Sequence, residues 1–277
     1  MAIAEDLTAN FKAVDAELTY IVDDGQPSIR YVDWPEEAHN ERIASYEKRQ
    51  TRIHNGRVTG GPFSLPSHGF RLVSHDTTMR DFYDADEIKR VYYPETAALI
   101  KVESGGTRVH VFDHTLRTPV KNKQAEGWRR GPVRYVHNDY TETSAPQRVR
   151  DYFPDAADAL LSRRFAIIQT WRSIAPRVES EPLALCDGKT IPKTGFIRNQ
   201  RRYPDRTAET YHICHNPAHR WYYFPLMKRD EVLVFKVFDT NPSTGVRFTA
   251  HTAFDDPMTA ADAAPRESIE MRALVFW

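Results

Sequence analysis

The chain has 277 residues, of which 40% are hydrophobic and 27% are charged, a composition typical of a globular protein with a sizeable core. Lysine plus arginine equals aspartate plus glutamate at 38 each, so no charge excess favours binding to nucleic acid or to an anionic membrane. The two cysteines, Cys186 and Cys214, show no pairing pattern, which argues against a disulfide framework and is compatible with a reducing compartment. We therefore expect a soluble cytoplasmic protein.

The N-terminal part of the chain predicts no targeting segment and little regular structure. Residues 1–18 carry acidic residues early and lack a long apolar run, which excludes a signal peptide or a membrane anchor. Residues 36–78 are rich in charge, Gly, Pro, Ser and His, a composition that predicts irregular structure or an extended arm. We expect residues 1–78 to form an N-terminal extension that packs on a core of residues 79–277, the two making one structural unit.

Helices are predicted mainly in the first half of the core. Residues 79–104 have helical spacing around Pro94, which predicts two short helices, the second beginning near the proline. Residues 107–117 alternate between apolar and polar side chains and predict a strand. Further on, Ser144 and Asp155 are candidate helix starts.

The rest of the core is predicted to be rich in strands. Residues 165–174 form an apolar run typical of a strand, and from residue 208 onward short β-branched and aromatic runs alternate with turn residues. Helices on one side of about eight strands favour a mainly β fold with helices packed outside. Its core is predicted to be a double-stranded β-helix, of the jelly-roll or cupin-like kind.

A candidate metal site begins in the stretch VRYVHNDYTET, residues 133–143. His137 and Asp139 lie two positions apart, so in a strand they would project from the same face. A non-haem Fe(II) oxygenase needs two imidazoles and one carboxylate on one face of the metal, and His251, in another apolar strand 114 positions downstream, can supply the second imidazole. Each feature alone is common, since such pairs occur by chance and buried histidines are often hydrogen-bonded core residues. Together they make His137, Asp139 and His251 the candidate catalytic and metal-binding residues.

The segment PRESIEMRALVFW adds a candidate cosubstrate site. Arg266, Ser268, Glu270 and Arg272 share one face if this segment is a strand. An Arg-x-Ser pair aimed into a barrel is a good receptor for a carboxylate, because the guanidinium fork binds both oxygens and the hydroxyl adds a third hydrogen bond. Arg266 and Ser268 therefore predict a site for the distal carboxylate of 2-oxoglutarate.

A second group of histidines competes for a metal role. His212, His215 and His219 fall within eight positions, with Cys214 among them, a spacing that resembles a zinc site on a helix. The flanking residues are typical of strands, however, and Pro217 would break a helix between the second and third histidines. We favour a strand followed by a turn, and the role of these histidines stays open.

Substrate contacts are the weakest part of the prediction. Tyr135 would share the inward face with the candidate metal ligands, and Trp171, Trp221 and Tyr222 are aromatic residues on predicted strands. Arg172 could pair with a carboxylate of a substrate. For the aromatic residues a place in the core is the simpler explanation. For the arginine an ordinary ion pair is an equally good explanation.

Four blocks of sequence, in order, resemble the CmcJ/AsaB-like hydroxylase/desaturase family. These blocks are RYVHNDYT, WRSIAPRVESEPLALCD, YHICHNPAHRWYYFPLMKRDEVLVFKVFD and HTAFDDP…PRESIEMRALVFW. The resemblance covers roughly residues 80–277. It implies an Fe(II)/2-oxoglutarate-dependent oxygenase of secondary metabolism that uses O₂. By the resemblance, the two histidines and the aspartate named above hold the iron, and Arg266 and Ser268 bind the cosubstrate.

Asp139 narrows the reaction that is expected. An iron halogenase usually replaces this carboxylate by a small residue so that halide can bind, so its presence favours hydroxylation or desaturation of a C–H bond in a small molecule. One member of the family works with a partner protein, so a homodimer or a partner biosynthetic enzyme is conceivable. Two alternatives stay open. One is a metal-containing binding or accessory module, and the other is a cupin-type metalloenzyme that does not use 2-oxoglutarate.

Overall fold

Two β-sheets and a set of helices make up this computed structural model, which describes residues 11–32, 44–118 and 129–277. The strands are β1 (Ala13–Ile21), β2 (Ser28–Tyr31), β3 (Tyr46–Asn55), β4 (Phe70–Ser74), β5 (Arg108–Arg117), β6 (Arg129–Arg130), β7 (His137–Asn138), β8 (Phe165–Ser173), β9 (Leu183–Cys186), β10 (Phe196–Arg202), β11 (Thr207–Ile213), β12 (Trp221–Tyr223), β13 (Glu231–Asp239), β14 (His251–Ala253) and β15 (Ser268–Phe276). The α-helices are α1 (Ala85–Glu87), α2 (Tyr93–Ser104), α3 (Ser144–Tyr152) and α4 (Ala157–Leu161). None of the helices in these ranges has both the length and the apolar character that a membrane span requires.

The larger sheet has nine strands in the order β1-β3-β12-β9-β14-β7-β11-β10-β2. Isolated bridges show that this sheet curls strongly. They join Thr19 of β1 to Tyr135, just before β7, and Ile21 of β1 to Cys214, just after β11. Leu18, Ile213 and Trp221 belong to one buried apolar cluster although they come from strands far apart in this order. They can meet only because the sheet bends back on itself, and the bend brings the short strand β7 into the middle of the molecule.

The smaller sheet has six strands in the order β4-β13-β8-β15-β5-β6. Its two central strands, β8 and β15, are buried along their whole length, although Gln169 and Arg172 in β8 and Ser268, Glu270 and Arg272 in β15 are polar or charged. One face packs on the helical layer, where Ile88 and Ile100 join the cluster that contains Ile168. The other face packs on the larger sheet, where Phe235 and Leu185 share a second cluster. Polar side chains that lie between the two sheets therefore need partners there.

Most of the elements predicted for the core are confirmed. Strands occupy most of 107–117 and 165–174, and β11 to β15 follow residue 208. Near Pro94 the second helix begins at Tyr93, as expected, but the first is only the three residues of α1, continued by a π-helix over Ile88–Tyr92. Because proline has no N–H, the regular α-helical bonding is interrupted at this point.

The prediction of irregular structure for residues 36–78 is wrong for two stretches of the part that the structure describes and holds for the turns and loops at 56–69 and 75–78. Strands β3 and β4 lie in this segment, and β3 pairs with both β1 and β12. Its polar sequence YEKRQTRIHN has few apolar side chains, so the strand depends on its partners in the sheet and not on its own pattern. Residues 1–10 and 33–43 lie outside the described ranges, and the division of the chain at residue 78 stays a prediction.

Candidate metal centre

The fold brings together the two predicted histidine ligands, which are 114 positions apart in the sequence. His251 on β14 is the direct register partner of His137 on β7, and the two imidazole ring centres lie 4.3 Å apart. Asp139 follows β7 immediately, and its Oδ1 is 3.5 Å from Nε2 of His137. The ligand atoms of all three residues lie within 4.8 Å of one another. This donor set, two imidazoles and one carboxylate, fits a divalent iron that keeps open positions.

Both imidazoles are held with one ring nitrogen free for a metal. Nδ1 of His137 donates to the carbonyl oxygen of Tyr135 at 2.9 Å, and Nδ1 of His251 faces the carbonyl oxygen of Thr249 at 3.4 Å. Since a carbonyl can only accept, each Nδ1 carries the proton and each Nε2 is left with a lone pair. Nε2 of His251 is buried and has no hydrogen-bond partner. An orphaned buried acceptor of this kind fits a missing cation.

The protonation states of the two histidines and the aspartate also favour metal binding. Burial, with the neighbouring His251 as the next cause, lowers the pKa of His137 to about 4. Burial also lowers the pKa of His251. Burial alone would raise the pKa of Asp139, but the Arg272 guanidinium and the two imidazoles hold it well below its usual range. At neutral pH the centre therefore presents two neutral imidazoles and one carboxylate, the forms that bind metal.

A cavity of about 10 Å³, room for roughly one water molecule, lies beside the two histidines. Its walls are Arg117, Val133, His137, Trp171, Leu183, His251, Ala253, Arg266 and Glu270. The wall thus combines apolar side chains with two guanidinium groups and a carboxylate. Such a wall suits a small anionic ligand next to an apolar one.

Arg266 lies in this wall without a carboxylate partner. It is 2% exposed, its Nη1 donates to the carbonyl oxygen of Glu181 at 2.7 Å, and its Nε has no hydrogen-bond partner. It forms no ion pair within the described ranges. Burial, together with the nearby charge of Arg117, lowers the pKa of Arg266 to about 9. Ser268 does not line the cavity, but it is opposite Arg117 in the sheet, and its hydroxyl is also buried without a hydrogen-bond partner. Both Arg266 and Ser268 thus have a buried donor that no group of the protein satisfies.

Four residues around the centre make contacts that the sequence did not predict, although Glu270 and Arg272 were expected on the same strand face as Arg266 and Ser268. Gln169 and Arg272 both donate to Oδ2 of Asp139, and Arg117 and Arg272 each donate to a different oxygen of Glu270. Their positions follow from the register of β8, β15 and β5, in which Gln169 is opposite Arg272. The sequence offers no signal for this pairing, because strand neighbours cannot be read from one chain.

Two of the five predicted substrate residues lie beside the centre. Trp171 lines the cavity and is 1% exposed, and the guanidinium carbon of Arg266 is 5.6 Å from the centre of its ring. The ring of Tyr135 is 5.4 Å from that of His137, centre to centre. Both rings are therefore within reach of a molecule bound at the centre.

The other three lie elsewhere. Arg172 follows Trp171 in β8 and so faces the opposite side of the sheet, where it donates to the carbonyl oxygen of His75. Trp221 is buried inside the curled sheet, and its Nε1 donates to Tyr20 Oη at 2.8 Å. Tyr222 lines a separate cleft of about 520 Å³ at β1, β3 and β12. None of the three touches the cavity at the metal centre.

The competing histidines do not converge. His212 is on β11, and its Nδ1 shares a hydrogen bond of 2.6 Å with Tyr46 Oη. His215 and His219 lie around Tyr20, with ring centres 5.2 and 5.9 Å from that of the tyrosine. Within the described ranges, the triad of His137, Asp139 and His251 is the group of possible ligands close enough to share an ion.

Comparisons with known proteins agree with this centre. A family model described as "Oxidoreductase/YMDC permease-like domain" matches residues 18–276. The alpha-ketoglutarate-dependent dioxygenase phiK of a fungal species (strain ATCC 74256) is 32% identical over 80% of this chain and 82% of the relative. The hydroxylase/desaturase CTB9 of Cercospora beticola is 32% identical over 84% of this chain and 78% of the relative.

The structure is also similar to a solved one. The iron and alpha-ketoglutarate-dependent endoperoxidase NvfI superposes with a TM-score of 0.86 over 96% of this chain and 98% of that one, at 26% identity. This likeness confirms the predicted double-stranded β-helix core with helices outside. The chain belongs to the family of Fe(II)/2-oxoglutarate-dependent dioxygenases and hydroxylase/desaturases that these fungal enzymes represent.

Proposed function

We propose that the protein hydroxylates or desaturates an unactivated C–H bond of a small molecule of secondary metabolism, using Fe(II), 2-oxoglutarate and O₂. His137, Asp139 and His251 would hold the iron. The observation that carries the proposal is the convergence of these three side chains within 4.8 Å, with both imidazoles fixed through Nδ1. Three ligands on one face leave the opposite face of the metal for the cosubstrate and O₂.

Arg266 and Ser268 would bind the distal carboxylate of 2-oxoglutarate. A guanidinium that is 2% exposed and lacks a carboxylate partner is costly unless an anion binds it. A divalent metal nearby adds positive charge and increases the preference for an anionic ligand. The cavity of about 10 Å³ is too small for 2-oxoglutarate, so side chains of its wall must shift when the cosubstrate binds.

Bound iron and cosubstrate would supply the oxidising chemistry, and the protein would supply positions and exclude water. Asp139 keeps one metal position filled by a carboxylate, which supports hydroxylation or desaturation over halogenation. Trp171, Tyr135 and the apolar side chains of Leu183 and Ala253 border the centre and would hold an apolar part of the substrate against it.

Two other functions would use the same centre differently. An accessory module that only binds a small molecule would need neither a complete ligand triad nor an unpaired guanidinium beside it. A metalloenzyme independent of 2-oxoglutarate would keep the triad but would leave Arg266 without a ligand. The pairing of both features supports a catalytic, 2-oxoglutarate-dependent centre.

The test is a titration of anaerobic protein with Fe(II) and then with 2-oxoglutarate, followed by visible absorption spectroscopy. We expect a weak charge-transfer band when the cosubstrate chelates the metal, and its loss in the His251→Ala variant. Admission of O₂ should then convert 2-oxoglutarate to succinate. A folded wild-type protein that binds Fe(II) but gives no band would contradict the role of 2-oxoglutarate and favour the cosubstrate-independent metalloenzyme.

A further inference from the structure

We infer that Gln169 and Arg272 are positioning residues that restrict Asp139 to binding the metal through one oxygen, Oδ1. The inference rests on the proposed function, since it assigns a role toward the iron. It concerns two side chains that belong to the smaller sheet, whereas Asp139 follows a strand of the larger one. The contact between the sheets thus sets the direction of a metal ligand.

Both donors bind the same carboxylate oxygen. Nε2 of Gln169 is 2.6 Å and Nε of Arg272 is 3.1 Å from Oδ2 of Asp139. A carboxylate oxygen has about two lone-pair sites, so two donors saturate it. Oδ1 is left, and it is the oxygen that faces Nε2 of His137 at 3.5 Å. The hydrogen bonds therefore select which oxygen can reach a shared ion.

The orientation of the Gln169 amide is determined by its neighbour. Its Oε1 is buried and has no hydrogen-bond partner. The reverse orientation would place this oxygen against the carboxylate of Asp139, where two acceptors repel. Gln169 therefore donates to Asp139 while its Oε1 stays without a hydrogen-bond partner. Such an arrangement costs stability and is typical of a functional site.

Arg272 is fixed more firmly still. Besides Asp139 it donates to Thr115 Oγ1 at 3.0 Å and to Asp113 Oδ2 at 3.1 Å, and it is ion-paired with Glu270. It is 8% exposed, and Gln169, its register partner on β8, is fully buried. Both donors are thus in place before a metal binds, which is how outer contacts fix the geometry of a ligand.

A single-oxygen carboxylate matters for the chemistry. A 2-oxoglutarate-dependent reaction needs two metal positions for the cosubstrate and one for O₂. If Asp139 used both oxygens, it would occupy one of these three positions. Holding Oδ2 away from the metal keeps the position open, so we expect the two donors to affect both metal affinity and cosubstrate chelation.

Variants of Gln169 distinguish an effect on the orientation of Asp139 from an effect on the balance of charge around it. Arg272 neutralises the buried carboxylate as well as orienting it, so its loss alone would be ambiguous. Gln169 is neutral, and the Gln169→Met variant keeps the approximate length of the side chain while removing the donor. Gln169→Glu places a second carboxylate against Oδ2, and Arg272→Lys keeps the charge but loses the planar fork.

The experiment measures the Fe(II) dissociation constant of the full-length protein under anaerobic conditions, by calorimetry. We expect Gln169→Met to weaken Fe(II) binding by roughly 10–100-fold, the range found when outer contacts to metal ligands are removed. Gln169→Glu and Arg272→Lys should weaken it at least as much. The 2-oxoglutarate band of Gln169→Met should also be lost or shifted at saturating Fe(II).

The matched control is Arg164→Met. It breaks another arginine–aspartate pair, the 2.9 Å contact of Arg164, just before β8, with the fully buried Asp239 at the end of β13, which does not touch the metal centre. This variant should lose stability but bind Fe(II) as the wild type does. Thermal unfolding of each metal-free variant shows whether it is folded, and if Arg272→Lys is not, the two Gln169 variants carry the test.

The outcomes separate the inference from the function on which it rests. If the wild type does not bind Fe(II), or if His251→Ala binds it equally well, the proposed function fails. If the wild type binds Fe(II) and folded Gln169→Met binds it with equal or higher affinity and an unchanged band, only the positioning inference is overturned.

Discussion

Two groups of histidines in this chain differ in a way that their sequence conceals. His212, His215 and His219 fall within eight positions and resemble a metal-binding motif, whereas His137 and His251 are 114 positions apart. In the structure His137 has His251 as its register partner on one side and His212 on the other. Nδ1 of His212 is bound to Tyr46, however, and His215 and His219 lie apart from it around Tyr20. Proximity along the chain is therefore a poor guide to a shared ligand site in a β-sheet protein.

The contacts of the second ring nitrogen explain the difference. His137 and His251 each direct Nδ1 to a backbone carbonyl, which leaves both Nε2 atoms pointing to a common place beside Asp139. His212 has its Nδ1 bound to a phenol, and both ring nitrogens of His219 are buried without a partner. A metal site needs convergent lone pairs and a carboxylate, and the second group offers neither.

The largest effect should come from replacing one histidine of the distant pair by alanine, compared with the same replacement in the close group. His251→Ala removes a ligand, and we expect Fe(II) binding to weaken by more than about 100-fold, because removal of outer contacts alone costs roughly 10–100-fold. His219→Ala should leave Fe(II) affinity unchanged. Calorimetric titration of both variants checks this. Equal losses in the two variants would show that the second group also takes part in binding.

The next largest effect concerns the unpaired arginine. Arg266→Ala should raise the apparent KM for 2-oxoglutarate more than tenfold, on the order of 1.5–3 kcal/mol for a charged hydrogen-bonded partner. Arg172→Met is the control, since Arg172 is equally buried but lies on the opposite face of the sheet. Steady-state kinetics with varied 2-oxoglutarate measure both. An unchanged KM in Arg266→Ala would move the carboxylate site to Arg117.

A smaller change is expected at the neighbouring hydroxyl. Ser268→Ala removes one neutral donor, worth about 1 kcal/mol, so the KM for 2-oxoglutarate should rise roughly fivefold. Ser173→Ala, a buried serine opposite Ser268 in the sheet, should leave it unchanged because its hydroxyl donates to Ala175 O at 3.0 Å. The same kinetic assay applies. Equal values for Ser268→Ala and the wild type would remove Ser268 from the cosubstrate site.

The smallest effect belongs to the second histidine group and appears in stability. Burial, with His215 as a further cause, lowers the pKa of His219 to about 4. The folded protein therefore favours neutral His219, a contribution that is complete above the unfolded pKa of about 6.5 and is lost as the pH falls toward 4. His219→Phe should flatten the decline of the unfolding free energy between these values, as measured by urea unfolding. An identical pH dependence in variant and wild type would contradict this, and Fe(II) affinity should not change.

The sequence predicted a metal site at His137, Asp139 and His251, and the structure brings the possible ligand atoms of these residues within 4.8 Å of one another. Residue type and strand pattern carried most of the information for this prediction. One step of that reasoning was too simple, since β7 contains only His137 and Asn138. Asp139 lies beyond it and reaches the centre through the turn that follows the strand, not through alternation along the strand. The donors Gln169, Arg117 and Arg272 were not predicted, because their roles depend on which strands are neighbours and in what register.

The fold was predictable where strands are apolar and hidden where they are not. Strands β8, β13 and β15 are buried along nearly their whole length, and their many apolar residues predicted them as strands. Strand β3 is largely exposed and rich in charged residues, and pairing with β1 and β12 decides its conformation. Long-range pairing of this kind overrides local propensity.

Asn138, between the two residues that begin the ligand triad, has a consequence for how this scaffold could change its substrate. It is fully buried, and its Nδ2 donates to the carbonyl oxygens of Tyr140 at 2.7 Å and of Val237, on the smaller sheet, at 2.9 Å. The backbone between the candidate iron ligands thus belongs to the larger sheet and is hydrogen-bonded to the smaller one, whereas the apolar wall is built from side chains such as Leu183 and Ala253 near strand ends. Directed evolution of that wall should change substrate selectivity while the candidate metal centre stays intact.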